Sequence, residues 1–370
     1  MSWLSVILLF LMSRAHGDPV DPASPAFVFP QGVDPQGAQA NDLRQAFKDA
    51  IVIARMAALT MNPYCDPVFE RYFFPTQLQF VSNVFRTIAN IPLDISIEDL
   101  NGGLDPAIQA MITSRGLNPT FSLLSISIGN HPDRSPNSGD DCAVDDTDAY
   151  LVHSRDNEDA GLISMCTPVW DYPSLSNILN PPAGWENEIG FGCNNLLDRD
   201  SDLMTPAGGV LLHELLHWGF LFENEVPNFE TVIPLTSGGD HHIRDYLGPP
   251  GGIPDTGYGP YNAPLLKNLP PGPYSVTTNN VDNYVYFALS KYWSIQCTKW
   301  FAQSTTPSDA FLRNTAWNRY SQPAQPQPQS IGEPQSQPPL KRSIIHDLFG
   351  GYHHNSTTYI PVKTRTWKAL

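Results

Sequence analysis

The sequence predicts an α+β domain made of several helices and a small sheet. Three observations carry this. Leu43, Phe47, Ile51, Ala54 and Ala58 recur at helical spacing through residues 41–61, with Asn41 or Asp42 available as a cap. Residues 121–128 alternate apolar side chains with serine, the pattern of a strand with one buried face. Thr205-Pro206 then opens an apolar helix, a hydroxyl cap followed by proline at the first helical position, and the pattern runs to about Phe222.

The remaining elements follow in order. Residues 68–91 carry a second helical pattern rich in Phe and Tyr, restarted at Pro75, where proline removes a helical hydrogen bond. A shorter helix is expected over 105–114, and short strands over 149–152 and 162–166. A polar loop spans 129–148, and a last helix spans 281–301. The domain is therefore placed at 41–301, after a short irregular segment at 18–40.

The ends of the chain differ from its middle. An apolar run from Trp3 to Met12 precedes Ala15-His16-Gly17, which reads as a secretory signal peptide over 1–17 and predicts a secreted, extracellular protein. No internal stretch approaches the ~20 apolar residues of a membrane span. After about Phe301 the composition changes, and twelve of the twenty residues in 321–340 are Pro or Gln. Such a stretch buries too little apolar surface to offset its ordering entropy, so 302–370 is expected to be a disordered tail. It holds the dibasic pair Lys341-Arg342 and the glycosylation sequon Asn355-Ser356-Thr357. The whole chain of 370 residues has a net charge of −16. The tail carries seven basic and three acidic residues, and with the signal's Arg14 set aside, 18–301 stands at −21. An acidic domain argues against nucleic acid as a partner, because phosphate contacts demand a basic footprint.

The chemistry is concentrated in His213-Glu214-Leu215-Leu216-His217. Residues i and i+4 share a helix face, so both imidazoles can reach one metal ion, and imidazole nitrogen suits Zn²⁺. Glu214 then has the position of a general base acting on water held by that ion. A catalytic zinc needs a third protein ligand and an open position. A histidine six residues after His217 is absent, since Glu223 stands there, and Pro227 breaks any helix that would carry Glu225 or Glu230. Two aspartates remain. Asp255 lies in Gly252-Ile253-Pro254-Asp255-Thr256-Gly257-Tyr258-Gly259, and Asp245 follows His241-His242-Ile243-Arg244. The His241-His242 pair, in a Gly-rich loop, is expected at the surface.

HExxH followed by Gly-x-x-Asp-x-x-Tyr-Gly, and then by Asn280-Val281-Asp282-Asn283-Tyr284, resembles the aspzincin metalloendopeptidases, the group of fungal deuterolysins and peptidyl-Lys metalloendopeptidases. The resemblance implies a zincin-like metalloprotease fold with a small, mostly antiparallel sheet around the HExxH helix. It implies one Zn²⁺ per chain bound by His213, His217 and Asp255, with Asp245 as the alternative third ligand. It implies Glu214 as base and proton donor, Tyr258 as the oxyanion donor, and a protein or peptide substrate. Lysine-specific members carry glutamate where Val285 stands, so a lysine preference is not implied; Asp282 is expected to be structural. A second departure is the link from His217 to Asp255, which covers 38 positions where the family's is usually much shorter.

The five cysteines allow fifteen ways of forming two pairs. The resemblance implies Cys142–Cys166 and Cys193–Cys297, with Cys65 free and buried. The competing reading is a secreted zinc-binding protein, scavenger or antigen, on the same fold without peptidase activity. Glu214 separates the two, because a scavenger has no need of a base.

Overall fold

The computed structural model describes residues 21–101, 110–111, 114–134, 142–143, 147–154, 156–236 and 239–306. The signal segment, Lys341-Arg342 and Asn355 lie outside these, as does most of the helix expected over 105–114. The described fold is mixed α+β, with one four-stranded sheet and ten α-helices.

The chain enters through a short strand, β1 (Ala26–Val28), inside the segment expected to be irregular. Helix α1 (Ala38–Thr60) starts three residues before the expected cap. Asp34 accounts for this: its carboxylate accepts the Gln36 N–H at 2.9 Å and its carbonyl accepts the Gly37 N–H at 2.8 Å, so the turn feeds straight into the helix. The aromatic-rich stretch divides as expected near Pro75. Helix α2 (Pro67–Tyr72) is capped by Asp66, a 3₁₀ turn starts at Pro75, and α3 (Leu78–Ile88) follows. A short α4 (Ile97–Asn101) comes next.

Strand β2 (Leu124–Ile128) begins later than the alternation predicts, because Asn118 caps a 3₁₀ turn over Pro119–Leu123. With β3 (Ala149–His153) and β4 (Gly161–Met165) the sheet has the order β1-β2-β4-β3. β1 and β4 both run parallel to β2, and only β3 is antiparallel to its neighbour β4. The expectation of a mostly antiparallel sheet is thus corrected to a mixed one. Parallel neighbours need long crossovers; here α1–α4 fill the link from β1 to β2, and a loop with β3 fills that from β2 to β4.

Helix α5 (Leu175–Leu179) is capped by Ser174. Helix α6 (Ala207–His217) carries the HExxH residues, and every one of its side chains is buried, as an apolar-all-round helix requires. It packs against α1 and β3. Gly208 permits the first of these contacts, since a Cβ there would fall 2.4 Å from that of Asp49 and 2.8 Å from the Ala46 carbonyl oxygen. Two details of α6 differ from the sequence reading. Pro206, not Thr205, occupies the cap position, and the helix stops at Trp218 instead of continuing to Phe222. Short helices α7 (Phe220–Glu223), α8 (Phe229–Val232) and α9 (Gly259–Leu265) follow. The last helix, α10 (Val281–Gln296), packs on α1 and α6. It ends before the expected Phe301 because Thr298 turns into the left-handed region (φ 48°) and Ala302 pairs with Arg199.

Both expected disulfides are formed, Cys142–Cys166 and Cys193–Cys297. The second spans 104 positions, for which loop-closure entropy gives a stabilisation of about 4 to 5 kcal/mol. Cys65 is free, but it is exposed and not buried. It sits beyond the end of α1 in a turn organised by Asn62, whose side-chain oxygen accepts the N–H groups of Tyr64 and Cys65. No helix among the described residues is long and apolar enough to cross a membrane.

One buried carboxyl makes stability depend on pH. Asp49 accepts hydrogen bonds from Gln45 Nε2 (2.7 Å) and the Leu175 N–H (2.9 Å), and burial pushes it up to about 6. The native state therefore holds this proton more tightly than the unfolded chain. Stability from this group is full below pH ~4 and falls by roughly 3 kcal/mol as pH rises to ~6. Urea denaturation at pH 4 and pH 7 should show that loss in the wild type and a smaller one in Asp49→Asn.

Candidate metal centre

Helix α6 delivers His213 and His217 one turn apart, both 2% exposed, with their Nε2 atoms 3.1 Å from each other. The chain leaves the helix through Gly219, where a Cβ would fall 1.9 Å from the His241 carbonyl oxygen. That close approach brings segment 241–245 back across the helix end. Asp245 then meets both imidazoles, with Oδ1 3.2 Å from His213 Nε2 and Oδ2 3.3 Å from His217 Nε2. Among the described residues, these three form the one cluster of His, Cys, Asp and Glu able to hold a metal ion.

The outer nitrogens settle what the inner ones can do. His217 Nδ1 lies 2.7 Å from the Ile243 carbonyl oxygen, which can only accept. His213 Nδ1 lies 2.9 Å from Asp282 Oδ1. Each Nδ1 therefore donates, and in the neutral imidazoles each Nε2 presents a lone pair to the same point as the Asp245 carboxylate. Three converging electron pairs call for a cation. A tetrahedral Zn²⁺ with bonds of ~2.0–2.1 Å would space its ligand atoms ~3.3–3.4 Å apart, close to the observed triangle. Both oxygens of the buried Asp245 are also short of a well-formed hydrogen bond within the protein. The donor set fits the ion.

The electrostatics agree. Burial would raise the Asp245 carboxyl, but the two imidazoles outweigh it and hold it well below the usual carboxylate range. Burial would lower His213, yet Asp245 and Asp282 lift it well above the ordinary imidazole value. Metal loading must displace that proton, so affinity weakens as pH falls.

Tyr258 stands at the cap position of α9, its ring nearly parallel to that of His213 with centroids 6.3 Å apart. Burial, then the Asp245 carboxylate beside it, pushes its phenol far up, so it remains a proton donor at any working pH. Glu214 is 1% exposed on α6, and its charge is felt at Tyr258.

The structure does not bring Asp255 to the histidines. It is exposed, on the return strand of a hairpin in which its carbonyl accepts the Gly248 N–H and Thr256 pairs with Leu247. Asp245, the alternative ligand, occupies the place expected for Asp255. The His241-His242 pair also departs from expectation. His241 is half-buried on the Ile233 carbonyl, and His242 is buried with Nδ1 2.7 Å from Asp240 and its ring 6.4 Å from that of His217.

Two residues at the start of α10 have more to do than the sequence shows. Asp282 holds His213 through Oδ1 and accepts the Gly259 N–H through Oδ2 at 2.6 Å, linking a ligand to the backbone beside Tyr258. Asn280 accepts the Tyr246 N–H at 2.9 Å and donates to the Gly257 carbonyl at 3.1 Å, tying both strands of the hairpin to the helix. Asp282→Asn is expected to weaken zinc binding by about 10- to 100-fold, with the fold retained, as read by competition against a chelator and by circular dichroism.

A second imidazole–hydroxyl pair is not a nucleophile. His131 Nε2 lies 2.8 Å from Ser125 Oγ, but His131 Nδ1 accepts the Asp133 N–H, so the neutral ring's proton sits on Nε2 and the serine oxygen accepts.

Comparison of the chain with family models, curated proteins and solved structures gave no match.

Proposed function

We propose that the protein is a secreted zinc-dependent metalloendopeptidase of zincin-like architecture, with His213, His217 and Asp245 as ligands. The observation that carries this is the buried triangle of three electron-pair donors, 3.1 to 3.3 Å apart, on the helix that also holds Glu214. When bound, zinc supplies Lewis-acid polarisation of the scissile carbonyl and makes water acidic enough to attack near neutral pH.

The protein's own groups do the rest. Glu214 accepts a proton from the attacking water and passes it to the departing amine, a role that its place beside the first ligand allows. Tyr258 donates a hydrogen bond to the carbonyl oxygen as negative charge grows there, an interaction stronger in the transition state than in the bound substrate. Asp282 and the Ile243 carbonyl keep both imidazoles turned toward one point. The two disulfides agree with folding in an oxidising compartment.

The test is to purify the secreted protein, measure its metal, and follow cleavage of an unfolded protein with and without a chelator. One equivalent of zinc, loss of cleavage on chelation and recovery on adding zinc support the reading. Zinc at one equivalent with no cleavage at any pH would favour the non-catalytic zinc-binding protein.

A further inference from the structure

A cavity of about 70 Å³ lies where α1, segment 170–177 and the first residue of α6 meet. Helix α1 lines it with Asp42, Gln45 and Asp49, which share a face because they stand three and four positions apart. Trp170, Tyr172 and Asn177 line it from the other segment, and no Lys, Arg or His lines it at all. One water takes up about 30 Å³ of the liquid, so the space admits a group of a few heavy atoms.

Asp49 sets the chemistry. It is 4% exposed, and the cavity is where it meets the outside. An ionised carboxylate offers about four acceptor positions. The protein fills two of them, with Gln45 Nε2 on Oδ1 and the Leu175 N–H on Oδ2, so each oxygen keeps a lone pair for a further donor. The charged groups around it are few. Lys48 is exposed on α1, Asp42 adds a second negative charge, and Tyr292 from α10 is neutral because burial pushes its phenol up. Above a pH of about 6, Asp49 therefore ionises with no cation in the cavity wall, and a buried charge without a counterion is costly. The rings of Trp170 and Tyr172 suit a cation as well, through their quadrupoles. The Tyr172 hydroxyl is committed to Asp148, which leaves the ring as its contribution. A metal ion is a poorer match, because among the described residues no third His, Cys, Asp or Glu joins the two carboxyl groups.

We propose that this cavity binds a single alkylammonium or guanidinium group, the head of a small amine or of a Lys or Arg side chain, with Asp49 as its counterion. The site is separate from the metal centre and does not depend on hydrolysis there.

The test follows the amide resonance of Leu175, the donor to Asp49, in the full, disulfide-intact, zinc-loaded chain. Methylguanidinium and propylammonium chlorides are titrated at pH 7.5 against sodium chloride of equal ionic strength. A saturable shift with a Kd of about 1 to 10 mM is expected, the range open to four or five heavy atoms. At pH 5, where Asp49 keeps its proton, affinity should fall about tenfold. Asp49→Asn should abolish the shift at pH 7.5 with the circular dichroism unchanged, and Asp42→Asn should weaken binding about threefold. Should Asp49→Asn not fold, the pH pair on the wild type decides alone. Acetyl-Gly-Lys-Gly-amide and its Arg counterpart separate the two sources. Binding as tight as that of the free cations marks a receptor for side chains, and failure of both peptides beside binding of the free cations marks one for small amines. No saturable shift up to 100 mM overturns the proposal, as does an equal shift with sodium chloride or with neutral acetamide. Unchanged affinity at pH 5, or binding that survives Asp49→Asn, overturns it too.

Discussion

Replacing Glu214 by glutamine is expected to lower kcat by about 10³- to 10⁴-fold and to leave one equivalent of zinc bound. Proton transfer by a positioned side chain contributes typically 10²–10⁴. Glutamine keeps the size of a side chain that is fully enclosed on α6 but neither accepts the proton of the attacking water nor returns it to the amine. The ligands do not include Glu214, so metal content is the internal control. Stopped-flow or discontinuous assay of a peptide, alongside zinc analysis of the same sample, reads both. A variant retaining a tenth of wild-type turnover would exclude Glu214 as the base.

The second large effect concerns the two aspartates. Asp245→Ala should cost more than ~100-fold in zinc affinity, beyond what loss of an outer-shell partner produces, and activity should vanish with the metal. Asp255→Ala should leave zinc affinity within about twofold. The contrast follows from position: one carboxylate lies buried 3.2 and 3.3 Å from two imidazole nitrogens, the other faces solvent on the far strand of the hairpin. Isothermal titration of both apo variants with zinc decides it, and equal losses in the two would contradict the geometry.

What the sequence shows and what it hides can be traced to particular residues. His213, Glu214 and His217 are legible because the contact between them is local: one helical turn brings the imidazoles together whatever the rest of the chain does. The third ligand depends on how 27 intervening residues return to the helix end, which rests on Gly219 admitting the His241 carbonyl. No short pattern encodes that approach. The Asp-x-x-Tyr-Gly spacing points to Asp255, yet the carboxylate and the phenol that meet at the centre come from opposite strands of one hairpin, thirteen positions apart. Asp282 is hidden for a similar reason, since its role depends on the start of α10 meeting the middle of α6. The disulfide pairing is legible through resemblance alone, because five cysteines by themselves permit too many pairings. Strand direction is hidden because strands of three to five residues carry no mark of parallel or antiparallel partners. The end of α6 is hidden because the apolar run continues through Phe220-Leu221-Phe222 after the helix itself has stopped.

The Cys193–Cys297 bridge bears on what a proteolytic cut does to the protein. His213, Glu214, His217, Asp245, Tyr258 and Asp282 all lie inside the covalent ring it closes. A folded protein exposed to proteases is cut first in its exposed turns, and those around Leu247 and Ile253 are such turns. A single cut there opens the ring into a chain but releases no fragment, so ligands, base and phenol remain on one molecule. Nicked protein should therefore run at full mass on a non-reducing gel, separate into two pieces only after reduction, and still carry its zinc until the thiols are freed.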